Sequence, residues 1–304
     1  MPFCELRIPV DSNTTENSLS KLLISCFDLG YDRIVLCQTD NLRASTSNTS
    51  SSKKKKQKLN ETNETSTTTT TSSSSSTWTC PKPYIARIPD LIIQRCRQTN
   101  RKFRLYSRLN VIVHDNQSLH YLKRSEVQQN FDLISLQPAT RDILLYLLNS
   151  TTIQYELLVL DSNDPELLPF PSKLMRATAE RGVTFELIYS NALRDTFERR
   201  NLLAFGRSLA TNIFKRGQSI VFSSNAKNSL QIRSPYDMME IGQLFGFNEE
   251  ISRKMVNENP MNVLARAFSR KQTVQGTVWL DTTTDEKQQT TTVTPFVATE
   301  TILL

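Results

Sequence analysis

Side chains able to do acid–base, nucleophilic or metal chemistry are few in this sequence and widely spaced. The two histidines, His114 and His120, stand six apart, and no HxH, HExxH or His-rich run occurs. A metal site built on imidazoles therefore lacks ligands, and a solvated or hydrogen-bonded structural role suits both residues better. The five cysteines, Cys4, Cys26, Cys37, Cys80 and Cys96, form no CxxC pair, and an odd, scattered set of thiols fits a reducing compartment rather than a disulfide framework. Asp11, Asp115, Asp161 and Asp164 fall at expected strand ends or loops, where carboxylates can hold Mg²⁺. Asp115 and Asp164 equally fit as helix N-caps. Glu186, inside TFELIYS, is a carboxylate within a strand, which is costly unless a cation pairs with it. Arg181 and Arg233 are candidate partners, and a structural ion pair is preferred to a general base. No GxGxxG, GxxxxGK[ST] or GxSxG is present, and 7 glycines leave little material for phosphate-cradling loops. Nothing here supports a nucleotide-dependent enzyme, and no cofactor or protein-bound metal is expected.

Cations are the more informative set. The 304 residues carry a formal charge of +7, distributed as −3 over residues 1–42, +4 over 43–77, +9 over 78–271 and −3 over 272–304. Of the 27 basic residues in 78–271, 19 are Arg, whose planar fork matches phosphate oxygens in pairs and stacks on bases. In RGVTFELIYSNALRDTFERRN, Arg194, Arg199 and Arg200 cluster where a helix should begin. Cations in a first turn oppose the helix dipole, with Asp195 and Glu198 only partly offsetting them, so an anion docked there would rationalise the arrangement. SSNAKNSLQIRSPYD places Lys227 and Arg233 in a loop on the same expected rim. A third basic stretch, RQTNRKFRLYSR, runs to Arg108 and interleaves five cations with Phe103 and Tyr106. Such a pattern can stack on unpaired bases, or strand alternation can bury Phe103 and Leu105.

These residues need a scaffold, and the pattern supplies one. Short β-branched or apolar runs at residues 1–10, 33–37, 105–113, 131–136, 155–160, 184–189 and 219–223 read as strands. Residues 230–233 are a candidate eighth. Helical patterns lie between them at 118–129, 139–149, 172–181 and 195–216, with three more at 236–244, 249–257 and 262–270. In the first helix Leu19, Leu22, Leu23, Cys26 and Phe27 form the apolar stripe, and Gly30 is placed to close it. Strand and helix in alternation predict an α/β fold with a parallel sheet. Seven or eight such units fit a (β/α) TIM-like barrel in one domain, with its site in the loops after the strands, although an open doubly wound sheet shares the local pattern. Residues 1–42 and 78–271 form the barrel in this reading. Residues 43–77, with Leu59 as their sole large aliphatic, read as a disordered Ser/Thr/Lys-rich insertion, and 272–304 as a Thr-rich disordered tail. Lys53–Lys56 with Lys58 form either a nuclear import signal or a solvated charge run. No apolar stretch reaches the length of a membrane span, and the first ten residues do not read as a signal peptide, so an intracellular protein with no membrane partner is expected.

At these same residues the chain resembles the TIM-barrel protein subunit (p30-type) of nuclear and archaeal ribonuclease P and of the related RNase MRP. The resemblance rests on Arg181-Gly182, Phe185-Glu186-Leu187, Tyr189-Ser190, Ala192, Arg194-Asp195 and Arg199-Arg200, continuing through Ser223-Ser224, Ala226, Leu230, Ile232-Arg233, Pro235-Tyr236-Asp237 and Leu244-Phe245-Gly246. It implies a noncatalytic component of a ribonucleoprotein that removes the 5′ leader from precursor tRNA, with catalysis by RNA-bound metal ions. The implied partners are the catalytic RNA, precursor tRNA, a small ferredoxin-like subunit and other protein subunits, and the implied location is the nucleus and nucleolus. Matching motif positions make Arg194, Arg199, Arg200, Lys227 and Arg233 candidates for RNA or partner contacts, and Arg108 joins them from the third basic stretch. The competing enzyme reading is a stand-alone metal-dependent phosphoesterase using Asp11, Asp161 and Glu186. A third is a barrel whose cations meet acidic proteins.

Overall fold

A computed structural model of the chain describes residues 2–42, 78–212 and 219–272. The proposed insertion lies outside the described residues, as does the tail beyond Gln272. Seven strands, β1 (Phe3–Pro9), β2 (Tyr31–Leu42), β3 (Arg104–Val113), β4 (Leu133–Pro138), β5 (Leu157–Leu160), β6 (Thr184–Ile188) and β7 (Ile220–Ser223), pair in parallel and in chain order. The helices that cover them are α1 (Glu16–Asp28), α2 (Asp90–Thr99), α3 (Ser125–Asn130), α4 (Arg141–Asn149), α5 (Ser172–Glu180), α6 (Ser190–Arg194), α7 (Thr196–Asn212), α8 (Pro235–Leu244), α9 (Glu249–Val256) and α10 (Glu258–Gln272). The result is a nearly closed TIM-like barrel. Where an eighth strand would complete the ring, the Asn225 amide donates to the Arg7 carbonyl at 3.0 Å and the Ser224 amide to Glu5 Oε1 at 2.9 Å.

The candidate eighth strand does not form. Ser229–Gln231 is a single 3-10 turn with Leu230 84% exposed, and Ser234 opens α8 immediately afterwards with a capping box to Asp237. Between turn and cap only Ile232 is left to bury, which is too little for a strand. The other local signals act as expected. Thr15 caps α1, whose buried residues are Leu19, Leu22, Leu23, Cys26 and Phe27, and Gly30 ends it at φ 105°, a conformation that disfavours any side chain. The helix expected over 118–129 divides into a 3-10 segment, Gln117–Lys123, and α3.

Alternation along each strand divides the side chains between two cores. Residues such as Leu109, Val111, Ile134, Leu136, Leu158, Phe185 and Leu187 pack outward against the helices. Cys4, Leu6, Val35, Tyr106, Leu133, Leu157 and Val221 fill the N-terminal end of the barrel, which α10 closes with Val263, Leu264 and Ala267. The C-terminal ends of the strands are left open. That asymmetry places the candidate site.

Candidate nucleic-acid interface at the barrel mouth

Above the apolar plug the barrel interior turns charged. Arg108, fully buried, donates from Nη1 to Glu186 Oε1 at 2.6 Å and to the Leu6 carbonyl at 2.8 Å, and from Nε to Ser135 Oγ at 2.8 Å. Its Nη2 contacts Glu186 Oε2, and Ser223 Oγ donates to the same carboxylate. Arg7 adds a second guanidinium at 3.4 Å from Glu186 Oε2. Burial alone would raise the Glu186 pKa, but the Arg108 guanidinium outweighs it and holds the carboxyl below its usual range. Burial likewise opposes the charge on Arg108, and Glu186 more than offsets it. Glu5, buried nearby, has no guanidinium of its own. It accepts the Ser224 and Arg7 amides on Oε1, and burial outweighs these bonds and pushes its pKa up to about 7.

Two sequence expectations are corrected here. Glu186 is in a structural ion pair, but its partners are Arg108 and Arg7 rather than Arg181 or Arg233. Arg108 does not face RNA: it lies mid-strand in a sheet covered on both faces, with 0% exposure. The rest of its basic stretch lies at the N-terminal end of β3, away from the mouth. Phe103 and Tyr106 are buried, Phe103 packs edge-on against Phe27 at 5.8 Å, and Arg101 pairs with Asp32, so this segment offers no stacking platform from those rings.

The mouth itself is a cavity of about 910 Å³. Its lining includes Arg7, Gln38, Gln137, Asp161, Asn191, Asn225 and Lys227. Many of these groups are engaged with one another. Gln137 accepts from Asn110 at 3.2 Å and donates to Asp161 at 3.1 Å, while Gln38 is held by the Tyr84 amide and the Lys82 carbonyl. Asp11 and Asp161 line the cavity and accept from amides of their own loops, Asn13 and Asn163. Among the described residues, no three His, Cys, Asp or Glu side chains group closely enough to hold a metal ion. Asp115 and Asp164 are caps, accepting from the Ser118 and Glu166 amides. His120 Nδ1 donates to the Gln117 carbonyl at 2.6 Å, and the ring lies against Tyr121. The amide-bearing lining residues escaped sequence reading, yet the rule that barrel sites follow the strands would have found Gln137, Asn191 and Asn225.

Solvent-facing charge gathers on the rim after β6 and β7. Arg194 ends the short α6 and donates to Asn191 Oδ1 at 3.2 Å, linking it to the cavity wall. Asp195 caps α7 through the Glu198 amide, and Arg199 folds back so that Nε donates to the Ala192 carbonyl at 2.9 Å. Arg200 is exposed one residue further on. Lys227 lines the mouth directly. Arg233 is exposed while its backbone is clamped, its amide donating to the Tyr189 hydroxyl and its carbonyl accepting from the Tyr31 hydroxyl at 3.0 Å. Both tyrosines are buried, and burial pushes their pKa values well up, so both hydroxyls stay protonated. Among the described residues, none of these five cations is within 4 Å of a carboxylate. The structure thus brings Arg194, Arg199, Lys227 and Arg233 to the loops around β6 and β7 and leaves Arg108 below them.

A barrel with a cationic rim is common to many functions, and comparison with known proteins places this one in a family. The model of the family RNase P subunit p30 matches residues 2–272. The chain belongs to that family. The p30-family match includes both rim segments and the whole strand-helix series. A relative in Mus musculus, ribonuclease P protein subunit p30, is 30% identical over 177 residues, 57% of this chain and 63% of that protein. In Saccharomyces cerevisiae, ribonuclease P/MRP protein subunit RPP1 is 27% identical over 175 residues, 56% of this chain and 58% of that one. The aligned segment therefore spans under two thirds of the length of each of these relatives. A chain in a cryo-EM structure of archaeal ribonuclease P with mature tRNA shares the p30-family fold, with a TM-score of 0.54 at 16% identity, over 94% of this chain and all of that one.

Proposed function

We propose that this chain is a noncatalytic protein subunit of the ribonuclease P ribonucleoprotein, shared with RNase MRP. It supports RNA-catalysed removal of the 5′ leader from precursor tRNA by binding and positioning RNA and partner subunits. The observation that carries this reading is the set of exposed rim cations, Arg194, Arg199, Arg200, Lys227 and Arg233, with no carboxylate within 4 Å among the described residues, in a chain of the p30 family. Arginine forks at a concave rim suit phosphate contacts, which position a nucleic acid without reading its sequence. The name of the yeast relative supports the link to MRP. Catalytic RNA, precursor tRNA, a small ferredoxin-like subunit and the other protein subunits are the partners, and the site of action is the nucleus, including the nucleolus. The saturation of Glu186 by two guanidiniums supports the noncatalytic reading, since a carboxylate so held is a poor general base.

The test is affinity purification of the full chain followed by sequencing of bound RNA and identification of co-purifying proteins. Recovery of the ribonuclease P and MRP RNAs with their protein subunits is expected, while the isolated protein leaves precursor tRNA intact. Saturable divalent-metal binding with RNA or phosphoester hydrolysis by the isolated protein would overturn the reading.

A further inference from the structure

On the face of the barrel opposite the mouth, the loop entering β5, the turn entering β6 and α10 enclose a cavity of about 390 Å³. Three guanidiniums line it, those of Arg181, Arg266 and Arg270, together with Glu156, Tyr155, Ser150 and Thr151. Arg270 is neutralised by Glu156, with Nε at 2.6 Å from Oε1. Arg181 and Arg266 form no such direct pair among the described residues. Arg181 donates to the carbonyls of Leu148 and Ser150 at 2.6 and 3.1 Å, and Arg266 donates to the carbonyl of Arg181. Carbonyl oxygens satisfy N–H groups but leave the net charge in place. Among the described residues no carboxylate is within 4 Å of either. Both are half-buried, and burial pushes the Arg266 pKa down despite the opposing pull of Glu156 and Tyr155, so its charge is only partly compensated. Gly182 is part of the arrangement: a Cβ there would fall on Arg266 Nη1, so the missing side chain makes room for the guanidinium.

We propose that this cavity is a phosphate site, in which Arg181 and Arg266 hold one phosphate group, free or within an RNA strand, with the Ser150 and Thr151 hydroxyls as further donors. A tetrahedral phosphate presents oxygens to cations on two sides and to hydroxyls at once, whereas a planar carboxylate is filled by one fork. The cavity volume leaves space for the group and its flanking atoms. The site stands apart from the rim and does not depend on the RNA reading, because inorganic phosphate alone tests it.

The experiment follows the ³¹P resonance of inorganic phosphate with the full chain at constant ionic strength in chloride. Saturable line broadening is expected, with affinity about tenfold weaker in Arg266→Gln. Because that variant also loses the bond to the Arg181 carbonyl, a second measurement uses wild type alone: phosphate should protect Arg266 from modification by phenylglyoxal, read by peptide mass spectrometry. Displacement of phosphate by a short oligouridylate with a 5′ hydroxyl identifies a phosphodiester as a ligand of the site, and failure to displace it restricts the site to free phosphate. Absence of saturable binding, unchanged affinity in Arg266→Gln, lack of protection, or equal displacement by acetate overturns the proposal.

Discussion

Glu186→Gln is the substitution that most directly tests the charged interior. The carboxylate accepts from Arg108 through both oxygens, from Arg7 at 3.4 Å and from Ser223. Among the described residues it is the one carboxylate within 4 Å of either guanidinium. Glutamine keeps one acceptor oxygen and the shape but removes the charge, so two buried cations lose their counter-ion. Deleting one partner of a fully buried pair costs about 3–5 kcal/mol. For a folded body of this size about 2–4 °C of melting temperature accompanies each kcal/mol, giving a fall of about 6–20 °C. Calorimetry and urea unfolding followed by circular dichroism read the change. The triple variant Arg7→Met, Arg108→Met and Glu186→Leu should recover at least half of it, because a packed apolar cluster leaves no buried charge without a counter-ion. Below its melting temperature Glu186→Gln should bind RNA with the parent's salt dependence, since the rim is intact. A melting temperature within about 2 °C of the parent would refute the ion-pair argument. Lost RNA affinity at unchanged stability would instead return Arg108 and Glu186 to the binding site.

Four further outcomes are expected. Glu5, with its pKa pushed up to about 7 by burial, binds its proton more tightly folded than unfolded. Its contribution is therefore full below pH about 4.5 and lost as pH rises through 7, a fall of about 3 kcal/mol that Glu5→Gln should abolish in melting curves taken from pH 5 to 8. Glu186, held below its usual range, acts in the opposite sense, and its stabilisation disappears only as the solution becomes more acidic than pH about 4.5. Arg194→Ala with Arg199→Ala should weaken RNA binding or assembly and reduce the slope of log affinity against log salt by up to about 1.4 if both meet single-stranded phosphates. Normal assembly and tRNA processing by that double variant would show the assigned surface to be wrong. Gly206→Ala, ordinarily favourable within a helix, would drive a methyl into the Phe245 ring and should cost about 1–3 kcal/mol in urea unfolding.

The barrel was legible in the sequence because alternation of strand and helix is a local signal, strongest where a stripe is complete. Leu19, Leu22, Leu23, Cys26 and Phe27 announce α1, whereas α2 buries Ile92 alone and leaves no stripe to read. The candidate eighth strand failed on the same ground, since an apolar alternation of two residues cannot outweigh the turn before it and the capping box after it. The rim cations followed from the rule that loops after strands carry the site, and Arg194, Arg199, Lys227 and Arg233 stand there. Arg108 was misplaced because it was read with its basic neighbours rather than by strand position. In the middle of a strand whose two faces are both covered, a guanidinium must be buried, and a carboxylate from another strand must meet it. That argument pairs Arg108 with Glu186, because both are mid-strand charges. The amide groups of the mouth and the Arg181–Arg266 cavity join residues far apart in sequence, a closeness that only the closed barrel creates.

The order of layers inside the barrel favours the rim over the interior as the proposed binding surface. Apolar side chains and α10 seal one end, the Arg108–Glu186–Arg7 network occupies the middle, and mutually hydrogen-bonded amides and carboxylates face the mouth. A ligand entering that mouth must displace bonds already made, such as those of Gln137 to Asn110 and Asp161, and recovers little by replacing them. The rim arginines have no such competitors: Arg194 and Arg199 each have one N–H group on a neutral oxygen and no carboxylate within 4 Å among the described residues. Phosphate contacts there exchange water for charge-assisted hydrogen bonds without breaking the fold's own network. On this reading the interior charges set stability and its dependence on pH, whereas the proposed rim contacts set affinity and its dependence on salt, and the variants above separate the two by those different readouts.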